Sequence, residues 1–185
     1  ITTGLNPRKN FVLGKGSNYY VTIKNMADNT LFLDDRCDRV DNEALEKINK
    51  RSDLKIGDIL FSGIGTIGRV ALVDIPTNNW NVSESVFTLR ANDIVTKEFL
   101  YLMLLSPDMQ NYCQSNAHGA AQKGIRMADL KAYSFNLPPF GVIQKFTNLV
   151  TPTLKKVSSI RNHIRLLTEA RDRLLPKLMS GEIAV

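Results

Sequence analysis

The histidine and cysteine side chains, which often carry catalysis or bind metals, are few and scattered in this sequence. His118 lies in a polar stretch and His163 on the surface of a predicted helix, and neither has a cysteine or carboxylate at ligand spacing. Cys37 and Cys113 are far apart and form no CxxC pair, so we expect two buried free thiols rather than a zinc site. Because nothing here assembles a nucleophile, we expect a non-enzymatic protein with no metal and no cofactor.

Two further patterns associated with enzymes are also incomplete. The acidic residues Asp34, Asp35 and Asp38 fit neither an HExxH nor a DxDxDG frame. Residues 63–68, GIGTIG, match GxGxxG, but a dinucleotide site needs a helix directly after the glycines, and residues 69–73 are typical of a strand. We interpret these glycines as a hairpin that turns tightly or lies close to another surface.

Polar and basic side chains in three predicted loops have the types that contact DNA. Base edges need paired donors and acceptors, whereas phosphates need positive charge or amide N–H groups. For any single residue a solvated surface group is an equally good interpretation, and only the clustering favours DNA. The candidates are Lys15, Ser17, Asn18 and Tyr20 in the first loop, Ser62, Thr66 and Arg69 around the glycines, and Gln122, Lys123 and Arg126 in the third.

The elements that must position these loops are short strands and helices, so residues 1–140 are predicted to form an α+β domain. Strands are predicted at residues 19–23, 31–33, 59–61, 70–73, 80–83, 86–89 and 133–137, with a turn at Asp28 and Asn29. Helices are predicted at residues 41–51 with Asn42 as the cap, at 96–105 with Thr96 as the cap, at 108–114, and for one turn at 129–132. In the second helix, Phe99, Leu102 and Met103 are the expected buried stripe, and Pro107 is expected to end it.

Residues 141–185 are predicted to form a long helix whose apolar residues keep a coiled-coil register over about four heptads. Residues 141–175 would span roughly 50 Å at 1.5 Å per residue, which is longer than a small domain is wide. The predicted pairing residues are Val150, Val157, Ile164 and Leu178 at position a and Ile160, Leu167 and Leu174 at position d. Arg171 also occupies position a, where it either sets the orientation of the paired helices or lies at a frayed helix end.

Two features of this helix remain open from the sequence, and its end is predicted. A helix packed on its own domain shows similar apolar spacing, so the coiled coil has an alternative. Pro152 either kinks one helix or begins a second helix capped by Thr151. Pro176 disfavours helical backbone at Leu175, so we expect the helix to end there.

The formal net charge of +6 and the pI near 9.4 suggest a nucleic-acid partner, but the charge is unevenly spread. Residues 141–185 hold 8 Lys and Arg against 3 Asp and Glu, leaving a net charge near zero for the rest. No apolar stretch is long enough to span a bilayer and no signal-peptide pattern opens the chain, so we expect a cytoplasmic protein with no membrane partner. The first residue is Ile, which favours a fragment or processed chain.

Four stretches in the same order resemble the specificity subunit of type I restriction-modification systems. They are LKIGDILFSGIGTIGRVALVD at residues 54–74, GAAQKGIRMADL at 119–130, FNLPPF at 135–140 and RDRLLPKLMSGEI at 171–183. One departure is Ile143 before Gln144, where the family usually has an acidic residue. The resemblance implies a target recognition domain at residues 1–140 and a conserved-region helix at 141–185.

The resemblance also implies the partners of the chain. The domain would read one half of a bipartite site in double-stranded DNA, and the helix would act as a spacer and dock the methyltransferase and restriction subunits, which carry the catalysis. The helix would pair with a second specificity half or, where that half is absent, form an antiparallel homodimer on a palindromic site. The alternative is a helical protein-interaction adaptor whose globular domain binds no DNA.

Overall fold

The computed structural model describes residues 1–183, and the chain divides into two compact units, residues 1–145 and the part from Phe146 onward. The first unit is a mixed α+β fold, which confirms the predicted class. Its strands are β1 (Thr2–Thr3), β2 (Asn18–Val21), β3 (Met26–Ala27), β4 (Thr30–Leu31), β5 (Asp38–Val40), β6 (Ile59–Ser62), β7 (Val70–Leu72), β8 (Trp80–Val82) and β9 (Val86–Leu89). Its helices are α1 (Asn42–Arg51), α2 (Lys97–Leu104), α3 (Pro107–Ser115) and α4 (Met127–Ala132), and α5 (Phe140–Met179) continues into the second unit.

The strands form two main sheets and one small hairpin. The first sheet has the antiparallel order β1-β9-β6-β7, and all four residues of β6 are buried because the sheet is covered on both faces. In the second sheet, β2 lies between β5, which is antiparallel, and β8, which is parallel. The β3–β4 hairpin turns at Asp28 and Asn29, both with positive φ, as a two-residue turn of this kind requires.

The hydrophobic core lies mainly between these sheets. Its largest side chain is Trp80, which is fully buried with Val21, Leu60 and Val82 in one cluster. Burial of a large apolar side chain stabilises a fold by about 2 kcal/mol, so this cluster holds the strands that flank the predicted loops. A second cluster packs α1 against β2 and β5 through Tyr20, Val40 and Ile48.

Helix α1 occupies its predicted position, but its cap is different. The side chain of Asp41 accepts a hydrogen bond from the Ala44 N–H at 2.8 Å, so Asp41 and not Asn42 is the N-cap. The Asn42 side-chain oxygen instead accepts a hydrogen bond from Asn18 Nδ2 at 2.9 Å. The cap prediction was wrong because a distant partner engages Asn42.

Helix α2 also has its predicted cap, since Thr96 Oγ1 accepts from the Phe99 N–H at 3.2 Å. The residues that it buries are Tyr101 and Leu104, whereas the predicted stripe of Phe99, Leu102 and Met103 is only half-buried. The helix packs on β7 through a face rotated from the one that the apolar spacing indicated. Helix α2 ends at Leu104, and Pro107 occupies the first turn of α3.

The strand predicted at residues 133–137 is absent, because no strand is assigned there within the described residues 1–183. The aromatic side chains that suggested it pack against helices instead. The Tyr133 ring lies 4.9 Å from that of Tyr112 in α3, and the Phe135 ring lies 6.3 Å from that of Phe99 in α2. Alternating aromatic residues here serve ring packing rather than strand pairing.

Helix α5 is one continuous helix of 40 residues that contains both Pro152 and Pro176. It therefore does not divide at Pro152, and the prediction that it ends at Leu175 was wrong. Near its carboxyl end, the Ser180 N–H still donates to the Pro176 carbonyl at 2.9 Å. Within residues 1–183, no helix combines the length and apolar composition needed to cross a bilayer.

Candidate nucleic-acid interface

The glycine turn between β6 and β7 is held by the buried side chain of Ser62. The Ser62 Oγ donates to the Thr66 carbonyl at 2.5 Å and accepts from the Arg69 N–H at 2.8 Å. Gly65 and Gly68 have φ of +78° and +90°, a conformation that a side chain disfavours. The turn is thus a fixed loop in an antiparallel hairpin, as the sequence indicated, and Ser62 serves its structure.

The third loop pairs with the glycine turn through main-chain hydrogen bonds. The Gly65 N–H donates to the Lys123 carbonyl at 2.7 Å, and the Ile125 N–H donates to the Gly63 carbonyl at 2.8 Å. His118 and Gly124 exchange two further main-chain bonds of 2.8 Å, which close the third loop on itself. We call residues 62–69 and 118–126 together the joined loops.

Gln110 and Phe87 fix the position of the joined loops on the domain. The Gln110 side chain in α3 donates to the Gly68 carbonyl at 3.0 Å and to the Leu104 carbonyl at 2.7 Å. Gly63 lies so close to the Phe87 ring that a Cβ there would come within 2.6 Å of it. The loops are therefore preorganised, which lowers the entropy lost when they bind a ligand.

Most of the side chains that the joined loops expose are polar or basic, beside the small Ala120 and Ala121. Thr66, Gln122, Lys123 and Arg126 are all exposed. Two positive charges, one amide with both donor and acceptor atoms, and one hydroxyl are the groups that contact phosphates and base edges. The structure brings together four of the predicted residues on two segments that are far apart in sequence.

Arg69, predicted as a DNA contact, is directed into the protein. Its Nη1 donates to the Ile23 carbonyl at 2.9 Å and to the Met26 carbonyl at 2.6 Å. The Ile23 carbonyl belongs to a single 3-10 turn, Ile23–Asn25, and Met26 directly follows that turn. The same turn carries the exposed Lys24, and its Ile23 side chain approaches Gly65 in the joined loops; no sequence pattern indicated this turn.

The first predicted loop is separated from the joined loops by the length of β2. Lys15 and Ser17 precede β2, which itself contains Asn18 and Tyr20. Ile23, which approaches Gly65, follows β2, and four strand residues span roughly 13 Å. Asn18 and Tyr20 are buried, and the Tyr20 hydroxyl donates to the Leu5 carbonyl at 2.6 Å, so both have structural roles. Only two of its four candidates, Lys15 and Ser17, are exposed.

Arg39 is a second basic residue that the sequence analysis missed. Its guanidinium lies 3.8 Å from the centre of the Tyr19 ring, and its Nη1 donates to the Ser17 carbonyl at 3.1 Å. Its Nη2 also pairs with Asp35 Oδ1 at 3.3 Å, so Arg39 places a carboxylate-paired positive charge beside the exposed part of the first loop. The signal that could have found it is the cross-strand pairing of Tyr19 with Arg39, which depends on the register of β2 and β5.

The remaining reactive side chains do not form a cluster. His118 Nε2 lies 3.2 Å from Asp129 Oδ2 on the surface. Burial raises the pKa of the Cys37 thiol and raises that of Cys113 to about 11, so both thiols are protonated near neutral pH. Among residues 1–183, no three His, Cys, Asp or Glu side chains are placed to share a metal ion.

Comparison with known proteins identifies this fold. The family model described as the type I restriction modification DNA specificity domain matches residues 1–148, which is most of the chain. The chain belongs to this family of type I restriction-modification DNA specificity domains.

Individual relatives agree with this assignment. The HindI specificity subunit of Haemophilus influenzae is 30% identical over 126 residues, covering 68% of this chain and 27% of the relative. The EcoBI specificity subunit of Escherichia coli is 27% identical over 158 residues, covering 78% of this chain and 33% of the relative. The chain thus spans about a third or less of the length of these relatives.

Solved structures share the fold. The S subunit of a type I system from M. genitalium has a TM-score of 0.58 at 19% identity, covering 96% of this chain and 42% of that one. A structure described as showing complex assembly and conformational transition of the type I system has a TM-score of 0.53 at 14% identity, covering 94% and 40%.

Proposed function

We propose that this chain is a sequence-specific DNA-binding part of a type I restriction-modification specificity subunit, and that it reads one half of a bipartite target. The observation that carries the proposal is the pairing of the two joined loops, which gathers the exposed Thr66, Gln122, Lys123 and Arg126 on a domain of the DNA specificity family. Preorganised loops with both charged and amide groups provide the two kinds of contact that sequence reading needs.

The four exposed side chains have different proposed roles. Lys123 and Arg126 contact phosphates, because charge attracts the backbone whatever the sequence. Gln122 and Thr66 contact base edges, since the Gln amide can bond an adenine through two hydrogen bonds. Lys15 and Ser17 are proposed as a flanking contact at the other end of β2, assisted by Arg39.

The long helix has the spacer and assembly role in this proposal. Residues 1–140 act as the recognition domain and residues 141–185 as the conserved-region helix, although the first compact unit extends to Lys145 because Ile143 is buried. The helix pairs with a second specificity half or a second copy and docks the methyltransferase and restriction subunits. Those subunits perform the reactions in the cytoplasm, and this chain is non-catalytic.

The test measures binding of the full chain, alone and with a methyltransferase subunit, to random-sequence duplexes at several salt concentrations. We expect binding that weakens with salt, because phosphate contacts release counterions. Selection from the random pool should then enrich one short half-site sequence, present once or in two copies. Absence of salt-sensitive binding in both forms would contradict the proposal and favour a protein-interaction adaptor.

Two substitutions separate the proposed roles within the joined loops. Lys123→Ala should weaken binding to all sequences alike and reduce the salt slope by about one. Gln122→Ala should relax the preference at one base pair, at a cost of about 1–3 kcal/mol for the selected site. The matched control is Lys47→Ala, because Lys47 is also an exposed lysine but pairs with Glu43 on α1, outside the joined loops.

A further inference from the structure

The side chain of Gln122 lies directly against the glycine turn. A Cβ added at Gly65 would lie 3.3 Å from Gln122 Nε2 and 2.8 Å from Ile23 Cδ1, so the amide lies in space that only a glycine leaves open. The Gln122 side chain is exposed, and its donor and acceptor atoms are accessible to a base edge. Where that amide points therefore depends on the position of the turn beneath it.

The main chain around Gln122 is held on both sides. Gly119 has φ of +106° and lies so close to Gln122 that a Cβ there would come within 2.4 Å of the Gln122 carbonyl oxygen. The next residue, Lys123, accepts a hydrogen bond on its carbonyl from the Gly65 N–H at 2.7 Å. A displacement of the glycine turn would thus disturb both this bond and the surface under the Gln122 amide.

The far end of the glycine turn is tied to the helices by Gln110 in α3. Gln110 Nε2 donates to the Gly68 carbonyl at 3.0 Å and to the carbonyl of Leu104, the last residue of α2, at 2.7 Å. A side-chain amide has two N–H groups, so each carbonyl receives one of them. This half-buried side chain therefore joins the turn to the junction between α2 and α3.

A small displacement of the turn affects the two kinds of DNA contact differently. Paired hydrogen bonds to a base edge depend steeply on distance and angle, so a misplaced Gln122 amide loses them. The attraction between a phosphate and Lys123 or Arg126 falls slowly with distance, and long basic side chains adapt to the shift. Sequence preference is therefore the property most sensitive to the position of the turn.

We propose that Gln110 is a positioning residue for sequence reading. By holding the Gly68 carbonyl, it keeps the glycine turn where the Gln122 amide meets a base edge, and it does so from outside the joined loops. This inference rests on the proposed DNA-binding function and assigns part of its selectivity to a side chain that does not itself contact DNA.

The first experiment measures binding of the full chain to two duplexes, the one enriched by selection and one with the same bases in scrambled order. Gln110→Met keeps an unbranched side chain of similar length and helix preference but removes both donors. We expect the preference for the enriched duplex to fall about tenfold, as for a lost base contact. The salt slope should stay unchanged, because Lys123 and Arg126 still contact phosphates.

Two further variants show whether the hydrogen bonds of Gln110 are responsible. Gln114→Met is the matched control, since Gln114 is an exposed glutamine about one turn further along α3, and it should change the preference less than about twofold. Gln110→Lys is the rescue variant, because its ammonium group has donors for both carbonyls, and it should keep the preference within about threefold. Equal losses in Gln110→Met and Gln110→Lys would overturn the proposal.

A double-mutant cycle tests whether Gln110 acts through Gln122. In a chain that already carries Gln122→Ala, Gln110→Met should change the preference by less than about threefold, because the contact that Gln110 positions is gone. A residue that only stabilises the fold would not show this coupling. A loss of about tenfold in both backgrounds would overturn the proposal.

Circular dichroism establishes that each variant is folded before its binding is measured. If Gln110→Met does not fold, Gln110→Asn replaces it, since its amide is one methylene too short to reach both carbonyls, and the same loss is expected. A folded variant that keeps the full preference, or that loses affinity for both duplexes alike, would overturn this inference and leave the proposed function intact. An unmodified chain with no preference for any duplex would contradict both.

Discussion

Individual buried polar residues hold the recognition domain in shape. Asp58 has 1% of its side chain exposed, and its carboxylate accepts hydrogen bonds from Arg90 Nε at 2.7 Å, from Arg90 Nη2 at 2.8 Å and from the Lys55 N–H at 2.8 Å. Asn81, also buried, donates to the Asn49 side chain and to the Ser52 carbonyl. Such groups are costly to bury without partners, so their satisfied bonds fix the loops between strands.

The inward-directed side chain of Arg69 should contribute to the stability of the domain. Arg69→Ala removes the donor to the Ile23 and Met26 carbonyls, and we expect the free energy of unfolding to fall by about 1–3 kcal/mol in urea titrations. The control is Arg36→Ala, since Arg36 is exposed and pairs with Asp34 and the Phe32 ring, and its loss should cost less than about 1 kcal/mol. A stable Arg69→Ala variant that has lost one unit of salt slope would show instead that Arg69 contacts DNA.

Burial of the Cys113 thiol should make the free energy of unfolding depend on pH. Burial raises the pKa of its thiol from 9.0 to about 11, so between these values the unfolded chain has lost a proton that the folded chain keeps. Stability conferred by this group is complete below pH 9 and falls as the pH rises toward 11. From pH 7.5 to 10.5 we expect the free energy of unfolding to decrease by about 2 kcal/mol more for the unmodified chain than for Cys113→Ala. Parallel pH curves for the two proteins would contradict this prediction.

At the scale of elements, the glycine turn depends on both backbone conformation and neighbouring side chains. Gly68 has φ of +90°, and a Cβ there would collide with the Gln110 side chain that ties the turn to α3. The turn therefore cannot be replaced by a generic hairpin without disturbing α3 and the third loop.

The test at this scale compares two glycines with the same backbone conformation. Gly68→Ala should destabilise the protein by about 2–4 kcal/mol, through left-handed backbone strain and the displaced Gln110. Gly14→Ala should cost only about 1 kcal/mol, because Gly14 has φ of +83° and no heavy atom within 4 Å of its added Cβ. Urea unfolding measures both, and equal losses would show that contact with Gln110 contributes nothing.

For the whole molecule, the proposed pairing of α5 with a second copy has a consequence for symmetry. The chain covers 27% of the HindI relative, and a single recognition domain of this kind reads one half-site under our proposal. A two-fold dimer through α5 would place two identical domains on one duplex, and protein symmetry is then matched by symmetry in the DNA.

This symmetry leads to a prediction about the DNA sequence. Selection from random duplexes with the unmodified chain should enrich two inverted copies of one short sequence separated by a fixed gap. The variant Leu167→Arg places a charge among the predicted pairing residues of α5 and should bind only single half-sites. Enrichment of one unsymmetrical site by the unmodified chain would contradict a homodimer and favour pairing with a different specificity half.

The sequence by itself determined the features that arise from local periodicity. The heptad spacing predicted the long helix, the alternation and turn residues predicted most strands and the Asp28–Asn29 turn, and the motif order indicated the family. It failed at residues 133–137, because their aromatic side chains pack against rings in helices instead of pairing as a strand. It also failed at Pro176, which the helix accommodates without ending.

Only the tertiary structure decided which polar residues face outward. Thr66, Gln122 and Lys123 are brought onto one surface by hydrogen bonds between segments about 60 residues apart, whereas Arg69 turns inward to carbonyls more than 40 residues earlier in the chain. Residue type and spacing cannot distinguish these cases. A loop's side chains point according to the main-chain partners that the rest of the fold provides, and those partners lie outside the local sequence.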